Sequence, residues 1–268
     1  MSGFINLVCD YKDPGDLAWS EILSALADEI PSSVRLIQTC VDSFDTVGTG
    51  FTVAQLARRA RKSQGSNLLF VNCAPRRDNR SARSDNEGEG LVHVTLDNNA
   101  EILAVNSGFS LSFVKPYIKK ITATKASAKG SQFRSRDNFP SVLAKCLAGD
   151  YGFLGDVLTL DAVPDAPPSA VAYLDSFGNI KTSIRTGSPL LSSLSAGNRV
   201  RVIIGNTVRY ATVTGGSFSV PEGELAFAPG SSGYEAPYWE LFKRGGSAWS
   251  EFGGPKTGSN IEVELAAD

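Results

Sequence analysis

The sequence predicts an α/β N-terminal domain with a mostly parallel sheet over residues 1–160, and an all-β, barrel-like C-terminal domain over residues 170–268. Strands that alternate with helices in the N-terminal half indicate the parallel sheet. Short strands separated by Gly- and Ser-rich turns, with no long helix between them, indicate the second domain. A Pro-rich segment at residues 161–169 is typical of a linker.

Composition and charge narrow the class of protein. Of the 268 residues, 42% are hydrophobic and 20% are charged, and the formal net charge is −2. These values are typical of a soluble globular protein and predict no general attraction to nucleic acid or to membranes. No apolar run approaches the roughly 20 residues of a membrane span, and the first apolar run lacks the basic residues of a signal peptide. We therefore expect a cytoplasmic protein.

The cysteines and the histidine argue against a metal centre. Cys9, Cys40, Cys73 and Cys146 are scattered without a C-x-x-C pair, so free thiols in a reducing compartment are expected. His93 is the only histidine, and its place inside a predicted strand favours a structural role. The sequence therefore predicts no metal site, and it leaves little room for a Ser-His-Asp enzyme.

The N-terminal elements follow from local patterns. The run FINLVC at residues 4–9 is uniformly apolar, as in a strand covered on both faces. Asp16 is placed to cap a helix over residues 17–30. The further elements predicted are strands at 34–41 and 68–73, a helix at 51–61, a hairpin at 91–96 and 101–105, a helix at 106–114 and another after Pro140. Residues 76–90 are the most polar segment and predict a mobile loop.

Polar residues follow the predicted strands. In parallel sheets ligands bind at the carboxyl ends of the strands, which is where Asp10, Asp42 and the loop after Cys73 are expected. Asp10 is the first candidate binding residue. The alternative interpretation of Asp10 is a helix or turn cap.

The segment VAYLDSFGNIKTSI at residues 171–184 is the most informative motif. Strand-like residues flank the turn D-S-F-G-N, whose Gly-Asn pair readily adopts positive φ. A β-hairpin turn is one interpretation. The other is a ligand-binding turn, because Asp175 offers acceptors, Asn179 offers a donor and an acceptor, and Phe177 offers an aromatic face.

Three motifs in chain order resemble a known family. They are F-R-S-R-D at residues 133–137, D-S-F-G-N at residues 175–179, and S-S-G-Y at residues 231–234 with G-S-A at residues 246–248. Together they resemble the S-adenosylmethionine hydroxide adenosyltransferases, and the fluorinating and chlorinating enzymes that attack the same compound with halide. The resemblance covers nearly the whole chain. It implies a homotrimer, with the ligand between the N-terminal domain of one subunit and the C-terminal domain of the next.

The resemblance implies binding residues in both domains. Asp10 and Asp16 match two acids of the family, the first of which binds ribose hydroxyls, a role that suits a carboxylate because it accepts from both. Phe51 matches an aromatic residue near the sugar, although a core position explains it equally well. The further substrate-binding residues expected are Phe133, Asp175, Phe177, Asn179, Ser231, Tyr234 and Trp239. The last three lie in a stretch that contacts adenine in the family, where Arg244 replaces the usual Asn.

The sequence differs from the family at the positions of its catalytic residues. Hydrolase members activate water with an Asp, an Arg and a His. The Asp position here is Ala74 and the His position is Arg134, while either Arg80 or Arg83 matches the Arg. Ser135 matches the serine that lies beside the halide in the halogenating enzymes. Ser135, Arg134 and Arg80 are the catalytic candidates.

Displacement at the 5′ carbon of a sulfonium needs no general acid, because the leaving group is a neutral thioether. A site that positions the nucleophile and removes its water is therefore sufficient in principle. The expected function is cleavage of S-adenosylmethionine to adenosine and methionine, with the compound as substrate and no cofactor. The alternatives are a homologue that binds an adenosyl ligand without turnover, and an oligomeric protein without a working site.

Overall fold

The computed structural model describes residues 4–59, 67–74 and 81–266. The chain divides into two compact units, Met1–Asp165 and Ala166–Asp268. This division falls inside the segment 161–169, where the sequence analysis placed a linker. Within the described ranges, no helix has the length and apolar character needed to cross a membrane.

A seven-stranded sheet forms the centre of the N-terminal unit in the described part of the chain. Its strands are β1 (Phe4–Cys9), β2 (Arg35–Cys40), β3 (Asn67–Asn72), β4 (Leu91–Leu96), β5 (Glu101–Val105), β6 (Ile118–Thr124) and β7 (Leu154–Leu158). Their order is β2-β1-β3-β5-β4-β6-β7. The last two strands were not predicted, because exposed lysines in β6 and the Gly-Asp pair in β7 obscure the strand pattern.

The sheet of the N-terminal unit is mixed. β2, β1, β3 and β5 pair in parallel, whereas β5, β4, β6 and β7 pair antiparallel. The expected mostly parallel arrangement therefore describes one half of the sheet. The other half is antiparallel because β4 and β5 form a hairpin, which needs no helical crossover.

The helices of this unit are α1 (Leu17–Glu29), α2 (Thr46–Arg58), α3 (Arg134–Asp137) and α4 (Pro140–Ala148). Asp16 caps α1 as predicted, since its Oδ1 accepts from the Ala18 N–H at 2.9 Å. α2 begins five residues before the predicted start, because Asp45 caps it by accepting from the Gly48 N–H at 2.8 Å.

The prediction of a helix at residues 106–114 is wrong, because this segment forms successive turns. The hydroxyl of Ser107 donates to the Cys73 carbonyl oxygen at 2.7 Å and lies 3.1 Å from the hydroxyl of Ser110. Such side-chain bonds compete with helical hydrogen bonding, which explains why an apolar run did not continue as a helix.

The core of the N-terminal unit joins α1 and α4 to one face of the sheet. Trp19 and Ile22 of α1 and Leu143 of α4 are buried against Leu7 of β1 and Phe70 of β3. Removal of this apolar surface from water is the main force that holds helix and sheet together. This packing fixes the carboxyl ends of β1 and β3, which lie next to the candidate residues.

A second seven-stranded sheet makes up most of the described C-terminal unit. Its strands are β8 (Val171–Leu174), β9 (Ile180–Arg185), β10 (Arg199–Ile204), β11 (Thr207–Val213), β12 (Leu225–Pro229), β13 (Tyr238–Lys243) and β14 (Ile261–Leu265), in the order β14-β10-β11-β12-β13-β9-β8. The sheet curls into a half-barrel, and a bridge between Ala170 and Asn260 joins its two edges at one end. A short helix, α5 (Ala248–Glu251), follows β13. β13 was not predicted, and the charged Glu240 interrupts its apolar pattern.

Candidate functional site

Asp10 lies directly after β1 and is buried. Its Oδ2 accepts from the Phe44 N–H at 3.2 Å and from the Ala74 N–H at 3.0 Å. One carboxylate oxygen therefore holds the loops that follow β2 and β3. This agrees with the alternative interpretation of Asp10 as a turn cap, and a ribose-binding role stays a prediction.

Ser135 lies in α3 and is buried beside Tyr11. The two hydroxyl oxygens are 2.8 Å apart, and the side-chain amide of Asn72 donates to the Tyr11 oxygen at 3.0 Å. The pKa of the Tyr11 phenol is raised far above its usual value, mainly by burial and secondly by the nearby Cys9. The pair is therefore a neutral hydroxyl cluster that donates and accepts hydrogen bonds without carrying charge.

Ala74, Arg83 and Arg134 line one polar cavity of about 410 Å³ in the N-terminal unit. Nη1 of Arg134 donates to the Ala128 carbonyl oxygen at 2.5 Å. Its guanidinium covers Gly88 so closely that a Cβ there would lie 1.9 Å from Nη2. Arg83 is within 2.8 Å of Glu89. Two positions that depart from the hydrolase pattern, Ala74 and Arg134, thus face the same space.

The remaining N-terminal candidates have varied surroundings. Phe51 is buried in α2, with its ring edge-on to Phe113 at 5.9 Å, so the structure favours the core interpretation. Phe133 is half-buried and packs edge-on against Tyr11 at 6.0 Å. Asp16 is exposed and serves as the cap of α1. Arg80 lies outside the described residues.

The D-S-F-G-N turn joins β8 to β9 and is organised by Asp175. Its Oδ1 accepts from the Phe177 and Asn179 N–H groups, each at 3.0 Å, and its Oδ2 accepts from the Asn179 side chain at 3.0 Å. The hairpin interpretation is therefore confirmed. Phe177 is left 79% exposed at the tip.

Gly178 docks the turn on the G-S-A motif. It has a φ of 78°, and a Cβ at this position would lie 2.1 Å from Oγ of Ser247. Its carbonyl oxygen accepts from the Trp249 N–H at 2.8 Å. Ser247 in turn caps α5 by accepting from the Ser250 N–H at 3.1 Å. Two motifs separated by about 70 residues therefore form one structure, and the second motif caps a helix.

A cavity of about 470 Å³ opens beside this turn. Asp175, Phe177 and Asn179 line it on the side of the turn, and Phe218 lines it from the loop after β11. Phe218 is 84% exposed, so two phenyl rings flank the cavity with most of their surface open to solvent. Exposed rings around a concavity are typical of a site that accepts an aromatic or apolar ligand.

Charged side chains line the same cavity. Nζ of Lys181 is 2.8 Å from Oε2 of Glu240 and 3.9 Å from Oδ2 of Asp175. Glu240 is 1% exposed, and its Oε1 has no hydrogen-bond partner among the described residues. The carboxyl group packs against Gly230, where a Cβ would lie 1.9 Å from it. Two carboxylates against one ammonium leave an excess negative charge at this place.

The candidates Ser231, Tyr234 and Trp239 have different surroundings. Ser231 lines the cavity. Tyr234 is half-exposed with a φ of 55°. The ring of Trp239 stacks on Phe227 at 4.7 Å and packs against the core, and its role in binding stays a prediction.

The sequence analysis missed Phe218, Lys181 and Glu240. A signal for Phe218 was present, since an aromatic residue stands alone in the small-residue loop G-G-S-F-S. A signal for Glu240 was its position in the apolar strand YWELFK, where a charge is unexpected. Lys181 gave no separate signal, because a lysine in a hairpin strand is ordinarily solvated.

Comparisons with known proteins bear on the fold. No protein-family model matches the sequence, and no curated protein matches it. The chain is similar to the crystal structure of an uncharacterized conserved protein from Thermotoga maritima, with a TM-score of 0.73 and 18% identity over 97% of this chain and 100% of that one. It is also similar to a conserved hypothetical protein from Thermus thermophilus, with a TM-score of 0.67 and 16% identity over 98% and 100% of the two chains. At these identities the similarity establishes the fold alone.

Proposed function

We propose that the protein binds S-adenosylmethionine and cleaves it by displacement at the 5′ carbon, with water or hydroxide as the nucleophile. The observation that carries the proposal is the cavity of the C-terminal unit. The D-S-F-G-N turn lines this cavity together with exposed phenyl rings and an excess of carboxylate groups. The expected products are adenosine and methionine.

The size and lining of the cavity suit an adenosyl ligand. Its volume of about 470 Å³ is in the range of roughly 300–1,000 Å³ that holds small molecules and cofactors. The rings of Phe177 and Phe218 offer apolar faces to the planar adenine. Asn179 supplies an amide beside them, which can bond to a base or sugar.

The charge of the cavity suits a cation. Asp175 and Glu240 outnumber Lys181, and Glu240 retains one buried oxygen without a partner among the described residues. A sulfonium or an α-ammonium group would offset this negative charge, whereas a neutral nucleoside would not. The proposal therefore expects S-adenosylmethionine to bind more tightly than adenosine.

The proposed chemistry needs little from the protein. A bond forms between the water oxygen and C5′ while the bond between C5′ and sulfur breaks. The electron pair stays on sulfur, which becomes the neutral thioether of methionine, and the proton of water passes to solvent. The resemblance implies that Ser135 positions the nucleophile, and in the N-terminal unit its hydroxyl lies 2.8 Å from that of Tyr11.

A second candidate function is binding of an adenosyl ligand without turnover. The observation that favours it is Arg134, whose guanidinium bonds to the Ala128 carbonyl and covers Gly88 at the position of the family's histidine. A guanidinium cannot act as a general base near neutral pH. With Ala74 in place of the acid, water would be activated slowly or not at all.

The test is calorimetric titration with S-adenosylmethionine and with adenosine, followed by chromatography after overnight incubation. Binding with release of adenosine and methionine supports cleavage, and binding without products supports the second candidate. Asn179→Ala is expected to weaken binding, while Tyr210→Ala, on an exposed ring outside the cavity, is not. Failure of both ligands to bind would overturn both functions. Light scattering tests the implied homotrimer separately.

A further inference from the structure

Three potential metal ligands converge in the N-terminal unit, and none of them is among the residues of the candidate site. They are His93 of β4, Glu101 of β5 and Cys146 of α4. Nε2 of His93 is 2.8 Å from Oε2 of Glu101, and Sγ of Cys146 is 3.7 Å from the same oxygen. The three ligand atoms all lie within 4.8 Å of one another.

The fold fixes this cluster from two directions. β4 and β5 pair antiparallel with Thr95 opposite Glu101, which places His93 and Glu101 as diagonal neighbours on one face of the hairpin. α4 brings Cys146 over the same face. His93 and Cys146 are only 6% and 4% exposed, so both side chains have few alternative positions.

Neighbouring side chains hold His93 and Glu101 in place. The ring of His93 packs against both Tyr151, at 5.6 Å, and Phe153, at 6.3 Å, and these contacts restrict its rotation. The Tyr151 hydroxyl donates to Oε2 of Glu101 at 2.9 Å, so a second group orients the carboxylate. Hydrogen bonds of this kind to a ligating carboxylate are typical of metal sites.

The two distances that involve Glu101 are close to those between the ligands of tetrahedral zinc. Zinc binds nitrogen and oxygen at about 2.0–2.2 Å and sulfur at about 2.3 Å, so neighbouring ligand atoms lie roughly 3.3–3.7 Å apart. The distance from Cys146 to Glu101 already fits. That from His93 to Glu101 needs to open by about 0.5 Å, within the reach of a rotation of the half-exposed glutamate.

We propose that His93, Glu101 and Cys146 form a binding site for Zn²⁺ or a similar borderline-soft divalent cation. One thiolate and one carboxylate neutralise the two positive charges, and imidazole and thiolate are ligands that zinc prefers. The three residues leave the fourth coordination position to a solvent molecule. The bound ion ties α4 to the β4–β5 hairpin, and the site does not depend on the proposed adenosyl ligand. No sequence pattern predicts it, because the ligands come from three separate elements.

The test uses the whole 268-residue chain, treated with chelator and then titrated with Co²⁺ and with Zn²⁺. Thiolate ligation of cobalt gives a charge-transfer absorption in the near ultraviolet, and tetrahedral geometry gives intense visible bands. The expected results are one equivalent bound, both spectral features in the wild type, and an increase in Tm with Zn²⁺.

Variants identify the ligands. Cys146→Ser is expected to lose the charge-transfer band, and His93→Gln to weaken binding by about tenfold or more. Cys40→Ser, at the half-buried thiol of β2, serves as the matched control and is expected to bind as the wild type does. Absence of the charge-transfer band from the wild type would overturn the site without reference to any variant. Retention of the band in Cys146→Ser would overturn it as well.

Discussion

The ammonium group of Lys181 lies 2.8 Å from Oε2 of Glu240, and both side chains are buried in the C-terminal unit. Taking two charges out of water is costly, and their attraction offsets this cost only while both are present. Since Oε1 of Glu240 has no partner among the described residues, Lys181 is the main compensation for the buried carboxylate. The unit is therefore expected to lose stability when one of the two residues is removed and the other is left buried.

The first prediction concerns this pair. Lys181→Met leaves Glu240 buried without its cation, and we expect the free energy of unfolding to fall by about 3 kcal/mol. Adding Glu240→Leu to this variant is expected to recover part of the loss. Urea denaturation of the three proteins measures both effects.

The exposed pair formed by Arg201 and Glu264 at 3.0 Å is the matched control. Arg201→Met is expected to cost less than about 1 kcal/mol, because water screens and solvates these charges. Equal losses for Lys181→Met and Arg201→Met would show that burial does not determine the strength of the pair at position 181.

The second prediction concerns Gly178 and compares it with Gly187. Both residues have positive φ, 78° and 81°, but a Cβ at Gly187 would meet no atom within 4 Å, whereas one at Gly178 would meet Ser247. Gly187→Ala is expected to cost about 1 kcal/mol from backbone strain alone. Gly178→Ala is expected to cost about 1–3 kcal/mol more, because the turn must move away from Ser247.

Thermal unfolding measures the two costs, and titration with S-adenosylmethionine measures their effect on the cavity. Weaker binding is expected for Gly178→Ala only, because the displaced turn carries Asp175 and Phe177. If the two alanine variants unfold at the same temperature, the contact of Gly178 with Ser247 does not contribute to stability.

Much of the fold could be predicted from the sequence because its elements have strong local patterns. The apolar run of β1 and the cap at Asp16 required no knowledge of tertiary contacts. In the antiparallel half of the N-terminal sheet the β4–β5 hairpin was predicted, but β6 and β7 could not be, since they expose polar residues and depend on their neighbours for pairing.

In the candidate site, too, residues of one local motif could be predicted, whereas residues from other parts of the chain could not. Asp175, Phe177 and Asn179 could be selected from one contiguous turn. Phe218 and Glu240 reach the cavity from other strands and loops, and nothing in the local sequence relates them to that turn. Trp239 was selected because it lies in a matching stretch, and that motif gave no indication that its ring stacks on Phe227. The direction of a side chain is decided by tertiary packing, which a motif does not specify.

The third prediction concerns Phe218, which is 84% exposed and lines the cavity. Phe218→Ala is expected to weaken the binding of S-adenosylmethionine and of adenosine about tenfold, because base–aromatic stacking contributes roughly 1–3 kcal/mol. Phe218→Trp is expected to retain binding. The Tm of both variants should equal that of the wild type, since an exposed ring adds little to the core. Unchanged affinity in Phe218→Ala would remove this residue from the site.

The fourth prediction is a pH dependence set by Tyr11. Burial raises the pKa of its phenol, so the folded protein holds this proton more firmly than the unfolded chain does. The resulting stabilisation is complete below about pH 10, the value of a free tyrosine, and is lost as the pH rises above it. Tyr11→Phe has no phenol to ionise, so its free energy of unfolding should fall less steeply in alkaline solution.

Urea denaturation of the wild type and Tyr11→Phe at about pH 8 and about pH 10.5 tests this difference. Buried thiols such as Cys9 and Cys73, whose pKa burial also raises, act in the same direction but are present in both proteins. Parallel pH dependences would contradict the prediction. A steeper loss in the wild type would show that Tyr11 is protonated near neutral pH. Its hydroxyl could then donate a hydrogen bond but not act as a base, and activation of water would have to come from another group.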